Sequence, residues 1–179
     1  WAAYPPKEKI NLGLDLQGGI HLVLQVETLD ALRAETDKDM ERLRQEVLDQ
    51  GLSGVSTERT GDTAFVLSGI DETGEPVVAK AAATFLPGWD WRRVGGEARF
   101  EMTSPHSRSL EEMAINQALQ TIRNRIDEFG VREPTIQKQG NDRILIQLPG
   151  IKDSKRALAL IGKTALLEFK IVNDDYDVK

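Results

Sequence analysis

The residues able to carry chemistry fall into small, separate groups. Gly162-Lys163-Thr164 has the ending of a phosphate-binding loop, in which lysine neutralises phosphate and amides at a helix start cradle it. That loop also needs a glycine five positions earlier, where Ala157 stands, and here the triplet closes a helical segment instead of opening one. A helix C-cap with a lysine beside the carbonyl end accounts for it. Gly13, Gly18 and Gly19 surround one carboxylate, Asp15. The spacing fits no dinucleotide fingerprint, no helix follows, and Asp15 would repel phosphate. The remaining reading is a tight backbone bend, with Asp15 accepting amide hydrogen bonds. His21 and His106 are the only histidines, too few for a metal site in a chain without cysteine. Asp174, Asp175 and Asp177 lack the glycine and distal glutamate of a calcium loop and read as solvated charges. Asp127, Glu128 and Glu133 cluster at a helix end, more plausibly as surface charges than as an acid/base pair, and no serine sits in a nucleophile elbow. The expectation is a protein with no catalytic, cofactor or metal residues, and not an enzyme.

The elements that carry these residues can be read from periodicity. Ile20, Leu22, Leu24 and Val26 alternate on one face of a strand, and Thr28 stands where it would cap the next segment. Leu29, Leu32, Thr36, Met40, Leu43 and Val47 then recur at helical spacing until Gly51. Val55–Arg59 and Thr63–Ser68 read as strands. Pro76 opens a helix whose stripe is Val78, Ala81, Ala82 and Phe85. Trp89–Val94 and Glu97–Met102 flank Gly95-Gly96, a two-residue hairpin signal. Ser109-Leu110-Glu111-Glu112 reads as a capping box, before a helix that buries Ile115, Leu119, Ile122, Ile126 and Phe129 and stops at Gly130. Thr135–Gln139 and Arg143–Leu148 are strands, closed by Pro149-Gly150. Asp153 caps a short helix with Ala157, Leu158 and Ile161, and Leu166–Val172 is the last strand.

The order β-α-β-β-α-β thus occurs twice. It predicts an α+β protein of two tandem ferredoxin-like units, helices packed on mainly antiparallel sheet. The expected divisions are residues 1–19 as an arm with the glycine-rich motif, 20–95 as the first unit and 96–179 as the second. Arg123 and Arg125 lie two apart on the long helix and point to different sides. One of them is expected to reach the turn with Asp15; the alternative is a solvated face for each.

Composition narrows the partners. The 179 residues carry 23 Lys and Arg against 29 Asp and Glu, a net charge of -6, which argues against nucleic acid. No apolar run reaches the length of a membrane span.

Several long blocks carry a family resemblance. Leu12-Gly13-Leu14-Asp15-Leu16-Gln17-Gly18-Gly19 resembles the glycine-rich signature near the start of the first periplasmic region of the SecD family. The stretch Asn116–Pro134, with Ile122-Arg123-Asn124-Arg125 and Gly130-Val131-Arg132-Glu133-Pro134, is similar to that family's "I-R-N-R" helix and "G-V-x-E-P" turn. Arg143–Gly150 and Thr164–Lys170 continue the likeness, with Lys170 where arginine is commoner. Residues from about Thr28 to Ser107 carry no recognised motif, and they resemble an insert that some members hold between the first strand and the arginine helix.

The resemblance implies a role in protein export. SecD works with SecF beside the SecYEG channel, drawing unfolded preprotein outward at the expense of the proton gradient. The parent would be a multi-pass protein of the bacterial inner membrane, with this segment on the periplasmic side as the base of a moving part. It also implies structural roles. Gly13, Asp15, Gly18 and Gly19 would fix the path of the chain from membrane to sheet. Arg123, Arg125, Gly130, Pro134, Pro149 and Gly150 would hold the core junctions. The alternatives are a stand-alone peptide- or protein-binding ferredoxin-like module that pairs extended chains on a sheet edge, and a small-molecule sensing domain.

Overall fold

The computed structural model describes residues 18–161. The expectations for Gly13, Asp15, the Gly162-Lys163-Thr164 triplet, the strand Leu166–Val172 and the acidic residues after it lie outside the described residues. Inside them the chain runs β1 (Gly19–Gln25), α1 (Thr28–Asp49), β2 (Ser56–Gly61), β3 (Ala64–Ser68), α2 (Glu75–Phe85), β4 (Trp89–Val94), β5 (Glu97–Met102), α3 (Ser104–Glu128), β6 (Thr135–Gln139), β7 (Arg143–Pro149) and α4 (Ser154–Ile161). The α+β class follows directly from this order.

Strand pairing departs from the expected tandem arrangement. Two antiparallel sheets form, with strand orders β1-β7-β6 and β2-β3-β5-β4. The division at residues 95/96 therefore falls inside one sheet, in the turn of the β4–β5 hairpin. A two-residue link leaves no length for its strands to enter different sheets, and Gly95 at φ 63° supplies the left-handed turn it needs. β1, in turn, belongs with the C-terminal strands. Ile20 lies opposite Leu148, Leu22 opposite Ile146 and Leu24 opposite Ile144, so three apolar pairs share one face. Residues 28–102 are thus set between β1 and α3 as an inserted unit, rather than standing before a second unit.

Each sheet has its own core. In the insert, Leu43 and Val47 of α1 and Val78 and Ala81 of α2 pack on Phe65, Leu67 and Phe100. Phe65 stacks on Phe100 with ring centres 4.7 Å apart and meets Trp89 edge-on at 4.9 Å. In the other core, Ile122 and Ile126 of α3 and Ala157 and Ile161 of α4 cover Ile20, Ile144, Ile146 and Leu148. Helix α3 serves both. Leu110 packs against the first core and Ile122 and Ile126 lie in the second, while α1 runs alongside α3.

Helix starts differ from the sequence reading. α1 begins at Thr28 itself, so Thr28 does not cap it, and Leu29 is 48% exposed. α3 starts at Ser104, with Pro105 in its first turn and extended Thr103 before it. The expected capping box at Ser109 and Glu112 therefore lies inside the helix, because proline's preset φ lets the helix nucleate five residues earlier. Phe85 is only half-buried, and the Arg42 guanidinium lies 5.5 Å over its ring.

Gly69 is the tightest point of the insert. Its φ is +89°, and a Cβ there would stand 2.5 Å from the Gly54 carbonyl oxygen, which is backbone and cannot swing away. Gly95 also has positive φ but faces open space. Gly69→Ala is expected to lose about 2–4 kcal/mol in urea unfolding, against about 1 kcal/mol for Gly95→Ala. Equal losses would show that the Gly54 contact relaxes.

Candidate functional site

Of the expected structural residues that are described, Gly18, Gly19, Pro149 and Gly150 gather at one end of the β1-β7-β6 sheet. Gly18 precedes β1 with φ +70°, and its carbonyl accepts the Gly150 amide at 2.9 Å. Gly19 lies opposite Pro149. The glycine pair and the Pro-Gly turn thus close the same end of one ladder, although 130 residues of chain separate Gly19 from Pro149 by subtraction of their numbers. Gly150 has φ +75°, and a Cβ at Gly18 or Gly150 would meet nothing within 4 Å. Glycine is needed at both positions for its backbone conformation, not for room.

The link from α3 to β6 ends at the same side of the sheet. Thr135 pairs with Gln147, which pairs with His21, two residues from Gly19. Gly130 sits just past the helix C-cap Phe129 with φ +74°, and its amide donates to the Asp127 carbonyl at 3.0 Å. This is the expected helix stop. Pro134 is half-buried directly before β6, behind Glu133 at φ 53°. A left-handed non-glycine residue ahead of proline stores backbone strain.

The two arginines separate. Arg125 is half-buried, and its Nη1 donates to the Ile161 carbonyl at 2.6 Å. This charge-assisted hydrogen bond ties α3 to the backbone of α4. Arg123 is exposed to solvent.

The most buried charged side chain among the described residues escaped the sequence reading. Asp39 of α1 is 5% exposed, and its Oδ2 accepts the Trp89 indole N–H at 2.9 Å. Burial raises its carboxyl above the ordinary carboxylate range, and Glu35 adds to this. The Trp89 hydrogen bond, Lys38 and His106 oppose it. The signal was present in the spacing, since Asp39 continues the buried stripe Leu32, Thr36, Leu43 and Val47 at steps of three and four. His106 belongs to the same corner, its ring filling the space that a Cβ on Gly88 would occupy. Among the described residues, no group of three His, Cys, Asp or Glu side chains could hold a metal ion. What this arrangement does chemically is close backbone ends with hydrogen bonds, while the buried Asp39 carboxyl joins α1 to β4.

Comparison with known proteins places these features. Residues 115–174 match the family model described as Protein translocase subunit SecDF, P1 domain, N-terminal, and residues 8–28 match the SecD/SecF GG motif. The chain is 43% identical over 180 residues to Protein translocase subunit SecD of Syntrophobacter fumaroxidans, covering 96% of this chain and 33% of that protein. Its identity to the protein of the same name from Desulfurispirillum indicum is 41% over 186 residues, covering 99% and 34%. For the Escherichia coli protein of that name the identity is 30% over 178 residues, covering 99% and 29%. The chain spans about a third of the length of these curated relatives.

Two substitutions test the polar contacts. Arg125→Ala is expected to cost about 1–3 kcal/mol and to speed amide exchange in α4, whereas Arg123→Ala stays within about 0.5 kcal/mol. Indistinguishable effects would remove the bracing role. For Asp39, a raised folded pKa means that the folded state holds the proton more tightly than the unfolded chain. Its contribution is then most favourable below the unfolded value and is lost as pH rises through the folded one. Asp39→Asn keeps an acceptor for Trp89, so its stability relative to wild type should rise between pH 4 and pH 7. Asp39→Ala leaves the indole N–H unpaired and should be about 1–3 kcal/mol less stable than Asp39→Asn at any pH. Parallel pH profiles for wild type and Asp39→Asn would contradict the assignment.

Proposed function

This chain belongs to the SecD family of protein translocase subunits, and we propose that it forms the base of the first periplasmic region of such a subunit, assisting export of unfolded preproteins. The observation that carries the reading is where the matched segments fall in the fold. All three strands of the β1-β7-β6 sheet lie within residues 8–28 or 115–174, and the whole four-stranded sheet lies between them. The portion matched by the two family models is thus one continuous sheet with α4 and the later turns of α3 packed on it, while the likeness to the SecD relatives runs through residues 28–102 as well.

In this reading the parent is a multi-pass protein of the bacterial inner membrane, working with SecF beside the SecYEG channel and drawing on the proton gradient. No described helix is long and apolar enough to cross a membrane. The proton-carrying groups would therefore lie in other parts of the parent. This segment would contribute mechanics rather than reaction chemistry. The Gly18–Gly150 closure would fix where the chain joins the sheet, and the Arg125–Ile161 contact would brace α4 against α3. Packed layers suit that purpose because they transmit strain with little compression. We also read the β1-β7-β6 sheet with α3 and α4 as one ferredoxin-like unit that holds the insert between its first strand and first helix.

The test uses a full-length subunit carrying this segment, in cells depleted of their own SecD. Gly18→Ala is strained by its positive φ yet meets no neighbour, so it should cost the 179-residue chain only about 1–2 kcal/mol. It should slow maturation of a secreted reporter, and an arrested secretory chain should crosslink to the wild-type segment. Normal export with Gly18→Ala, together with no crosslink, would refute the proposal.

A further inference from the structure

The open face of the four-stranded sheet carries an arrangement of charge that folding alone does not favour. Helices α1 and α2 cover its other face. On the open side Asp90 of β4 lies directly opposite Glu101 of β5, and Arg92 lies directly opposite Arg99. All four are exposed. Like charges facing each other across a pair of strands destabilise it, and exchanging Asp90 with Arg92 would turn both pairs into attractive ones. Asp90, Glu101 and Arg92 form no ion pair among the described residues, while Arg99 has Glu97 of its own strand at 3.1 Å. The result is an acidic pair and a basic pair side by side. Within each strand the two charges are two residues apart, about 6.5–7 Å along an extended chain.

The same face is hollow. An open depression of about 580 Å³ lies over it. β3 lines it with Ala64, Phe65, Val66 and Ser68, and of these Ala64 and Val66 stand opposite Glu101 and Arg99 respectively. We infer that this face binds an extended polypeptide segment carrying a cationic and an anionic side chain at positions i and i+2, the cation seated on Asp90 and Glu101 and the anion on Arg92 and Arg99. An extended chain places alternate side chains on one side at the same spacing as the strands beneath it, so both charges reach their partners together. A second copy of the sheet would also present complementary charge. However, its own face is equally hollow and cannot fill the depression, and a four-stranded face offers roughly 400 Å², about half of what each partner in a stable interface buries. The inference goes beyond the export reading, because it follows from this face whatever the parent does.

The experiment titrates the isotope-labelled 179-residue chain with a short Thr/Val peptide bearing Lys and Glu at i and i+2. An isomer with the two charges adjacent serves as control. Amide shifts should localise to β3, β4 and β5, with the adjacent-charge isomer binding about tenfold more weakly. In the exchange variant Asp90→Arg/Arg92→Asp, peptide binding should fall about tenfold while the melting temperature rises. The rise in melting temperature shows that loss of binding is not loss of fold. Equal binding of the two peptides, shifts elsewhere, unchanged binding by the exchange variant, an unchanged or lower melting temperature, or dimerisation through this face without peptide would each overturn the inference.

Discussion

The antiparallel ladder between β1 and β7 is the constraint on which the architecture rests. Seven residue pairs, from Gly19↔Pro149 to Gln25↔Arg143, join the start of the described chain to its far part. Everything between must leave the sheet after Val26 and return to it through α3. A second sheet with its own helices is therefore held as an insertion, its two ends tied by the ladder. The amide of Val26 donates to the Asp142 carbonyl at 2.7 Å at one end, and Gly150 donates to Gly18 at the other. Both ends of the ladder are thus closed by backbone hydrogen bonds, which leaves little freedom to slip register. A one-residue slip would also turn Ile20, Leu22 and Leu24 out of the core.

Helix α3 gives the insertion a second attachment. At 25 residues it extends about 37 Å, enough to touch both cores. Its early turns place Leu110 against the insert, and its later turns bury Ile122 and Ile126 beneath β1 and β7. Near its end Arg125 donates to the Ile161 carbonyl of α4. A displacement of the insert would therefore be felt along one continuous rod as far as the second core. The helix thus supplies a physical route between the four-stranded sheet and the β1-β7-β6 sheet.

The buried polar groups show which contacts hold specific geometry. Asp39 with Trp89 joins α1 to β4, and the Thr36 hydroxyl donates to the Asp62 carbonyl in the β2–β3 turn at 2.8 Å. These contacts orient α1 on its sheet, where apolar packing alone would tolerate sliding. The exposed pairs Asp90–Glu101 and Arg92–Arg99 are the contrary case, a place where the fold accepts repulsion on its surface.

Element type was legible in the sequence because it depends on local periodicity. The alternation in Ile20–Val26 and Arg143–Leu148, the steps through Ile115, Ile122 and Ile126, and the glycines at 95 and 130 each determine a strand, helix or stop from neighbours a few residues away. Family likeness was legible for the same reason, since its motifs are contiguous. Partnership was not. Ile20, Leu22 and Leu24 would pack equally well on any apolar strand of matching length, so nothing near them in the chain selects Leu148, Ile146 and Ile144. The glycine pair could likewise be seen to need a bend, but not that its neighbour would be Gly150. The charge of Asp39 suggested solvent, and only helix packing against Trp89 buried it. Hydrophobic patterning specifies which face is inward. Which inward faces meet is decided by shape and volume summed over the whole chain, and that sum exists only once the chain has folded.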